Sequence, residues 1–556
     1  MIQSSSAKLF VLFIVAFLIT RALSFVDVQI DLTNDKRHTL SQASYSMLEK
    51  IDQPIAIDVL LAGDLPPAYQ RLRSELSMIL NEMVRFNDWI QVDFVDPFDE
   101  VEDRNQLLQE LYSFGLVPEV EIDEANQSTE QTIVVPWLII NNKESQKSTR
   151  VSLLQKNLGD TPEQRIEQSI QQLEYHLLDG LHRLLLTKKK SIAVIRSHKT
   201  SADENLMSLL QDLLPYYNLA SFDLKAFPKA PEKTLANLLR FDMLLLSNPK
   251  EIFSPSEKFM LDQFTQAGKS SMLLIDPVVV AQDSIYNVQG SAIAYPGNLE
   301  LDELLFAHGL RLNKDIVSDL YSAPIVLAQG ENSNSQYQPY PWVYHPLATP
   351  NKLHPIGSAV GNVKQQFVSS IDTLKSAIKK TVLLKTSDRS KLRTPPFLIE
   401  LKEATTPLKP SDFTDAGRIT GLLLEGVFPS PFDNRISPFT WQKITPSSPA
   451  KMAVFSDGNM AENQIDKGNP LELGYDKWTN NLYANKSLLF NTVHYLMNEN
   501  ERLLLRAKSI RLAFLDSVKV SDNRSIVLQL AFGVPLVILS LFAFLMLRWR
   551  RRQFGQ

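Results

Sequence analysis

Five polar residues, Arg196, His198, Asn248, Asp276 and Asp457, stand just after apolar, strand-like runs. Ligands of open α/β sheets meet the carboxyl ends of strands, so these positions are the candidate ligand-binding residues. Asp276 and Asp457 could serve an unrecognised or degenerate hydrolase working at that edge. The plainer reading makes them turn and helix-capping residues. The chain contains no cysteine, which excludes disulfides, thiolate metal sites and cysteine nucleophiles. His176 and His182 lie six apart on a helical run and do not share a face, so they are read as packing or surface residues. Gly268-Lys269-Ser270 has the ending of a P-loop, but Gln263 stands at the required first glycine and the segment follows a helix. No Walker motif is present. There is no Gly-x-Ser-x-Gly, His-Glu-x-x-His or GxGxxG pattern. No cofactor and no metal are expected.

The elements that would hold these residues fall into two regions. Residues 27–190 read as an α/β domain. A strand at Ile55–Ala62 precedes a helix after Pro66-Pro67 with Leu72, Leu76, Ile79, Leu80 and Met83 on one face. A strand at Ile90–Val95 follows, then a hairpin of Thr132–Ile140 with a return strand from Thr149. This β-α-β-hairpin order is thioredoxin-like, without the Cys-x-x-Cys pair. A helix after the Thr161-Pro162-Glu163-Gln164 capping signal closes the region. Residues 191–520 read as a doubly wound α/β domain, amidotransferase-like or flavodoxin-like. Its runs are Ser191–Ile195, Phe241–Leu246, Ser271–Asp276, Gly421–Gly426 and Lys451–Asn459. Ser254-Pro255-Ser256-Glu257 caps one helix, Gly268 ends it, and another helix covers Lys486–Met497. The stretch from about 291 to 415 reads as an irregular insertion.

Both flanks are apolar. Ile526–Leu547 is interrupted only by Gln529 and Ser540 among polar residues, and is long enough to cross a hydrocarbon core of ~30 Å as a helix. Arg548, Arg550, Arg551 and Arg552 follow, which places residues 548–556 in the cytoplasm as a basic tail. Residues 1–26 hold a second apolar run, Leu9–Ile19, read as a retained anchor, with a cleavable signal as the alternative. Either way the bulk of the chain lies outside the cytoplasm. A net charge of −5 gives no sign of nucleic-acid binding.

Several segments carry a resemblance. Asp31–Ser41 (DLTNDKRHTLS) after the first apolar run, FSPSEKFMLDQF with LLIDPV, HPIGSAV, SSIDTLKSAIKKTVLL, LLLEGVF, KMAVFSDGN and the run Asn469–Met497, in this order, resemble the GldG family, the auxiliary component of a gliding-motility ABC transporter. The resemblance implies an inner-membrane protein with two helices and a large periplasmic domain. Its partners would be a separate ABC permease and ATPase, tied to gliding motility and its secretion machinery. An extracytoplasmic cargo or envelope protein would be its ligand. The resemblance also implies that the second domain is akin to an amidotransferase-like fold of ciliary transport proteins, used without that activity because the nucleophilic cysteine is missing. A non-enzymatic auxiliary, substrate-binding subunit is the expected function, with a hydrolase or a structural envelope tether as alternatives.

Overall fold

The structure is a computed structural model. It describes residues 39–99, 101, 103–122, 131–154, 162–186, 188–287, 290–329, 336–445, 448–499, 503 and 529–554. The first apolar run, Asp31–His38 and the Thr161 cap lie outside the described residues.

The chain is mixed α/β. In the first region, β1 (Ile55–Val59) pairs in parallel with β2 (Ile90–Phe94) and antiparallel with β3 (Trp137–Asn142), which pairs with β4 (Lys147–Ser152). Helix α1 (Pro67–Phe86) starts on proline, whose missing N–H costs nothing at that position, and buries Leu72, Leu76, Ile79, Leu80 and Met83. Helix α2 (Pro162–Leu185) buries Ile166, Ile170, Leu173, Leu177 and Leu181 at helical spacing.

The expected strand Thr132–Ile140 is in fact two. Gln131–Val134 pairs with Glu119–Ile122, and only Trp137 onward enters the main four-stranded sheet. Pro136 has no N–H for a ladder, and the Trp137 N–H turns back to the Val135 carbonyl at 2.9 Å. The return strand begins at Lys147, because Asn142 Oδ1 accepts from the Glu144 and Ser145 amides at 3.0 Å each and tightens the turn.

The second region is built on one large sheet. Its parallel part joins β5 (Ser191–Ile195), β6 (Asn218–Phe222), β7 (Met243–Ser247), β8 (Ser270–Leu274) and, late in the chain, β13 (Ala450–Phe455) in the order β6-β5-β7-β8-β13. Beyond β13 the sheet continues antiparallel through β12 (Ile419–Gly426), β11 (Lys379–Lys385), β10 (Gln336–Pro350) and β9 (Ser322–Gln329). Both faces of the parallel part are covered. Met243 and Leu245 pack with α3 (Asp203–Leu213) and α5 (Asn485–Leu496). Leu244 and Leu246 pack on the other side with Phe259 and Phe264 of α4 (Pro255–Gln266). Each such fully buried leucine contributes about 1.5–3 kcal/mol, and their continuous runs are what burial on two faces requires. The α4 N-terminus carries the reciprocal Ser254/Glu257 capping box. Gly268, at φ +73, ends it.

The stretch 291–415 is not irregular: its described residues include ten strands, and β10 and β11 extend the main sheet. Pro339, Pro341, Pro346 and Pro350 within β10 hide it from a propensity reading, since proline is scarce in strands.

A π-helical turn, Gln529–Gly533, leads into α6 (Val534–Phe554). Ala531–Arg552 is 22 residues long and contains an 18-residue stretch of mean hydropathy 2.1, long and apolar enough to cross a membrane.

A Cβ on Gly180 of α2 would collide with Val151 and stand 2.9 Å from Ile140 Cδ1. Gly180→Val is therefore expected to lower unfolding free energy by about 1–3 kcal/mol by overpacking. Urea unfolding of the purified protein followed by circular dichroism checks this.

Candidate ligand-binding cleft

Neighbouring strands of a parallel sheet end on the same edge, so the segments after β5, β7, β8 and β13 meet. Asn248 follows β7 directly, and Asp276 and Asp457 each stand two residues past β8 and β13. Asn248 has φ +53, a left-handed conformation that asparagine tolerates better than most residues. Its Nδ2 donates to Asn459 Oδ1 at 2.7 Å and Glu462 Oε1 at 3.1 Å. A Cβ on Gly458 would lie 2.5 Å from Asn248 Oδ1, so only glycine fits there.

The carboxyl groups are tied to backbone. Asp276 Oδ1 accepts from the Gly458 amide. Asp457 Oδ2 accepts from the Gln366 amide at 2.7 Å and its Oδ1 from the Asn459 amide at 2.9 Å. Asp457 is fully buried, while Asp276 keeps some surface in the cleft. Burial pushes the Asp276 pKa up to about 6, against the pull of the Gly458 amide and the positive charge of Lys250. Burial, then the charge of Asp276, holds Asp457 well above the ordinary carboxylate range. Ser201 Oγ donates to Glu462 Oε1 at 2.6 Å, joining the loop after β5 to the same cluster.

Asp276, Lys250, Gln366 and Glu462 border a cavity of about 910 Å³. A second cavity of about 630 Å³ shares Gln282, Gln366, Asn459 and Glu462 with it and reaches β9. These volumes suit a small ligand or a short chain segment.

Of the five expected residues only Asp276 borders a cavity; Asn248 and Asp457 lie behind the lining, and Arg196 and His198 are directed elsewhere. The Arg196 guanidinium pairs with Asp203 and donates to the Ser201 carbonyl, fixing its own loop. His198, at φ +65, is buried and stacked on Phe253 with ring centroids 3.8 Å apart. Its Nε2 lies 3.2 Å from Glu257 Oε2, and burial lowers its pKa despite that carboxylate. The structure thus brings Asn248, Asp276 and Asp457 together and turns Arg196 and His198 to other partners. Ser201, Gln366, Gly458, Asn459 and Glu462 escaped the sequence reading. Only Gly458 and Asn459 carried a signal, in the Asp-Gly-Asn turn after β13. Among the described residues no His, Asp and Glu side chains group in a way that could hold a metal ion.

Comparison with known families decides the affiliation. The model of a family described as an ABC-type uncharacterized transport system matches residues 189–492, more than half of the chain. The chain belongs to this ABC transporter auxiliary family. The match spans the large sheet and every cleft residue named above. Residues 34–141 match a domain of unknown function. No curated protein matches the chain. Among solved structures, the mmIFT52 N-terminal domain aligns over 55% of this chain and 97% of its own, with 13% identity and a TM-score of 0.31. A likeness at that level carries no argument. The family membership supports a transporter-associated role, and the apolar Ala531–Arg552 helix supports membrane association.

A carboxyl whose pKa is higher in the folded than in the unfolded chain stabilises the fold below its unfolded pKa, and that contribution is lost as pH rises through the folded value. For Asp276 the window runs from about 4 to about 6, and the loss is on the order of 2–3 kcal/mol. Asp276→Asn keeps an acceptor for Gly458 and removes the titration. Urea midpoints at the two ends of this window are expected to differ less in the variant than in the wild type.

Proposed function

We propose that this chain is a non-enzymatic auxiliary, substrate-binding subunit of an ABC transporter complex of the GldG type, associated with gliding motility and its secretion machinery. The family match over residues 189–492 carries the reading. In it, the first region is a thioredoxin-like domain and the second a doubly wound one, both on the periplasmic face of the inner membrane. Two helices anchor them, residues 1–26 and 526–547, with the basic tail in the cytoplasm. Arg548, Arg550, Arg551 and Arg552 directly after the apolar run support that orientation. The permease and ATPase are separate chains, and the cleft at the sheet edge takes an extracytoplasmic cargo or envelope protein.

The engagement of the candidate residues supports a binding role. Ser201 faces a glutamate and His198 a phenylalanine and Glu257, so among the described residues the serine hydroxyl is bonded to no imidazole base. One observation favours a hydrolase instead: buried carboxyls with raised pKa at a cleft are what acid catalysis uses. Alanine at Asp276 and Asp457 separates the two. A scaffold keeps its transporter association with a modest stability change, and an enzyme loses turnover with its fold intact.

Affinity purification of the full-length chain in mild detergent is expected to bring down an ABC permease and ATPase. That recovery should fall when residues 526–547 are replaced by an unrelated spanning helix. Recovery of the chain alone would contradict the proposal. Because the chain has no cysteine, Gln553→Cys gives a single label site. It is expected to react with an impermeant maleimide only after the inner membrane is opened.

A further inference from the structure

Five consecutive residues of β9, Pro324 to Ala328, border the smaller cavity. Side chains along a strand alternate between faces, so five in a row border one cavity only where it runs along the strand's edge. β9 is the outermost strand of the large sheet, and among the described residues it pairs on one side alone, with β10. The ladder fixes which of its backbone groups are free. Pro324 stands opposite Pro341, and Val326 opposite Pro339. Neither Pro339 nor Pro341 has an N–H to donate. Those two pairs are therefore the non-hydrogen-bonded ones of the antiparallel pattern, while Ile325–Tyr340 and Leu327–Gln338 are the bonded ones. The N–H groups of Val326 and Ala328, and the carbonyls of Pro324, Val326 and Ala328, thus point away from β10. They form one half of a β-ladder, the array that accepts an added strand.

The remainder of the cavity has a matching chemistry. Asp476 on its wall is neutralised by Lys364 at 2.7 Å. The hydrogen-bond partners of Glu462 are the neutral Ser201 and Asn248, and among the described residues no cation forms an ion pair with it. Exposed Tyr286, Tyr337 and Trp478 stand on the border, and such rings attract cations as well as apolar groups.

We infer that the free edge of β9 takes an extended peptide segment of a partner protein as an added strand, with a lysine or arginine side chain directed to Glu462. This rests on the substrate-binding reading above and names its ligand class. The five edge residues offer about 16 Å of ladder, and main-chain bonds supply affinity while Glu462 and the rings select the side chain.

The test uses full-length protein in detergent and a fluorescent peptide of about eight residues, alternating valine and threonine around one central lysine. Companion probes carry a central glutamate, or N-methyl groups on the amides of one edge. The lysine peptide is expected to bind and to slow deuterium exchange at Val326 and Ala328. N-methylation should weaken it on the order of tenfold. Val326→Pro should do the same, and Pro324 shows that this edge accepts proline at an outward position. Glu462→Gln should remove the preference for lysine over glutamate. Equal binding of the N-methylated peptide, or no binding of any probe, overturns the inference. So does a dimer that protects Val326 without peptide and separates in Val326→Pro, since a second copy would then fill the edge. If no probe binds while permease and ATPase still co-purify, this inference falls and the subunit reading stands.

Discussion

The closure of β8 against β13 is the constraint on which the cleft depends. These strands are neighbours in space but lie some 180 residues apart in the chain. Their ends are locked where the Gly458 amide meets the Asp276 carboxyl and the Gly458 α-carbon meets Asn248. No side chain can be added at Gly458 without moving Asn248. Asp276 ionises less readily than an exposed carboxyl, because the same closure shields most of it from water. The two buried carboxyls therefore hold protons more tightly than exposed ones do. At neutral pH they work mainly as fixed hydrogen-bond partners of Gly458, Gln366 and Asn459.

The mixed sheet divides the labour. Its parallel half, covered by helices on both faces, places four strand ends together and supplies the polar floor of the cleft. Its antiparallel half runs on past β13 and supplies a wall whose last strand, among the described residues, is unpaired on its outer side. Glu462 links the halves: it is held by Ser201 and Asn248 from the parallel side and borders both cavities. A rigid floor joined to an open strand edge suits recognition of an extended chain better than enclosure of a small molecule.

Much of the parallel half was legible because burial on two faces demands unbroken apolar runs. Met243–Ser247 and Ser270–Leu274 announce themselves in that way, as does the Ser254/Glu257 cap. Of the antiparallel half only β12 was legible, as the run Gly421–Gly426; β9 to β11 were not, and in β10 four prolines argue locally against a strand that long-range pairing nevertheless imposes. The same limit applies to the site. Asn248, Asp276 and Asp457 could be found from their places after strands. The partnership of Ser201 with Glu462 depends on strand order, which no local pattern encodes. Arg196 and His198 satisfied the same positional rule. The backbone of their loop, with His198 at φ +65, turns them toward Asp203 and Phe253 instead.

If this chain works as part of an ABC transporter, its membrane helix touches a permease subunit. A benzophenone side chain placed at Leu536 or Phe544 of α6 can be activated in intact cells, and the cross-linked partner identified by mass spectrometry. The account predicts a cross-link to an ABC permease subunit from one or both positions. Cross-links only to lipid, or only to other copies of this chain, would contradict it.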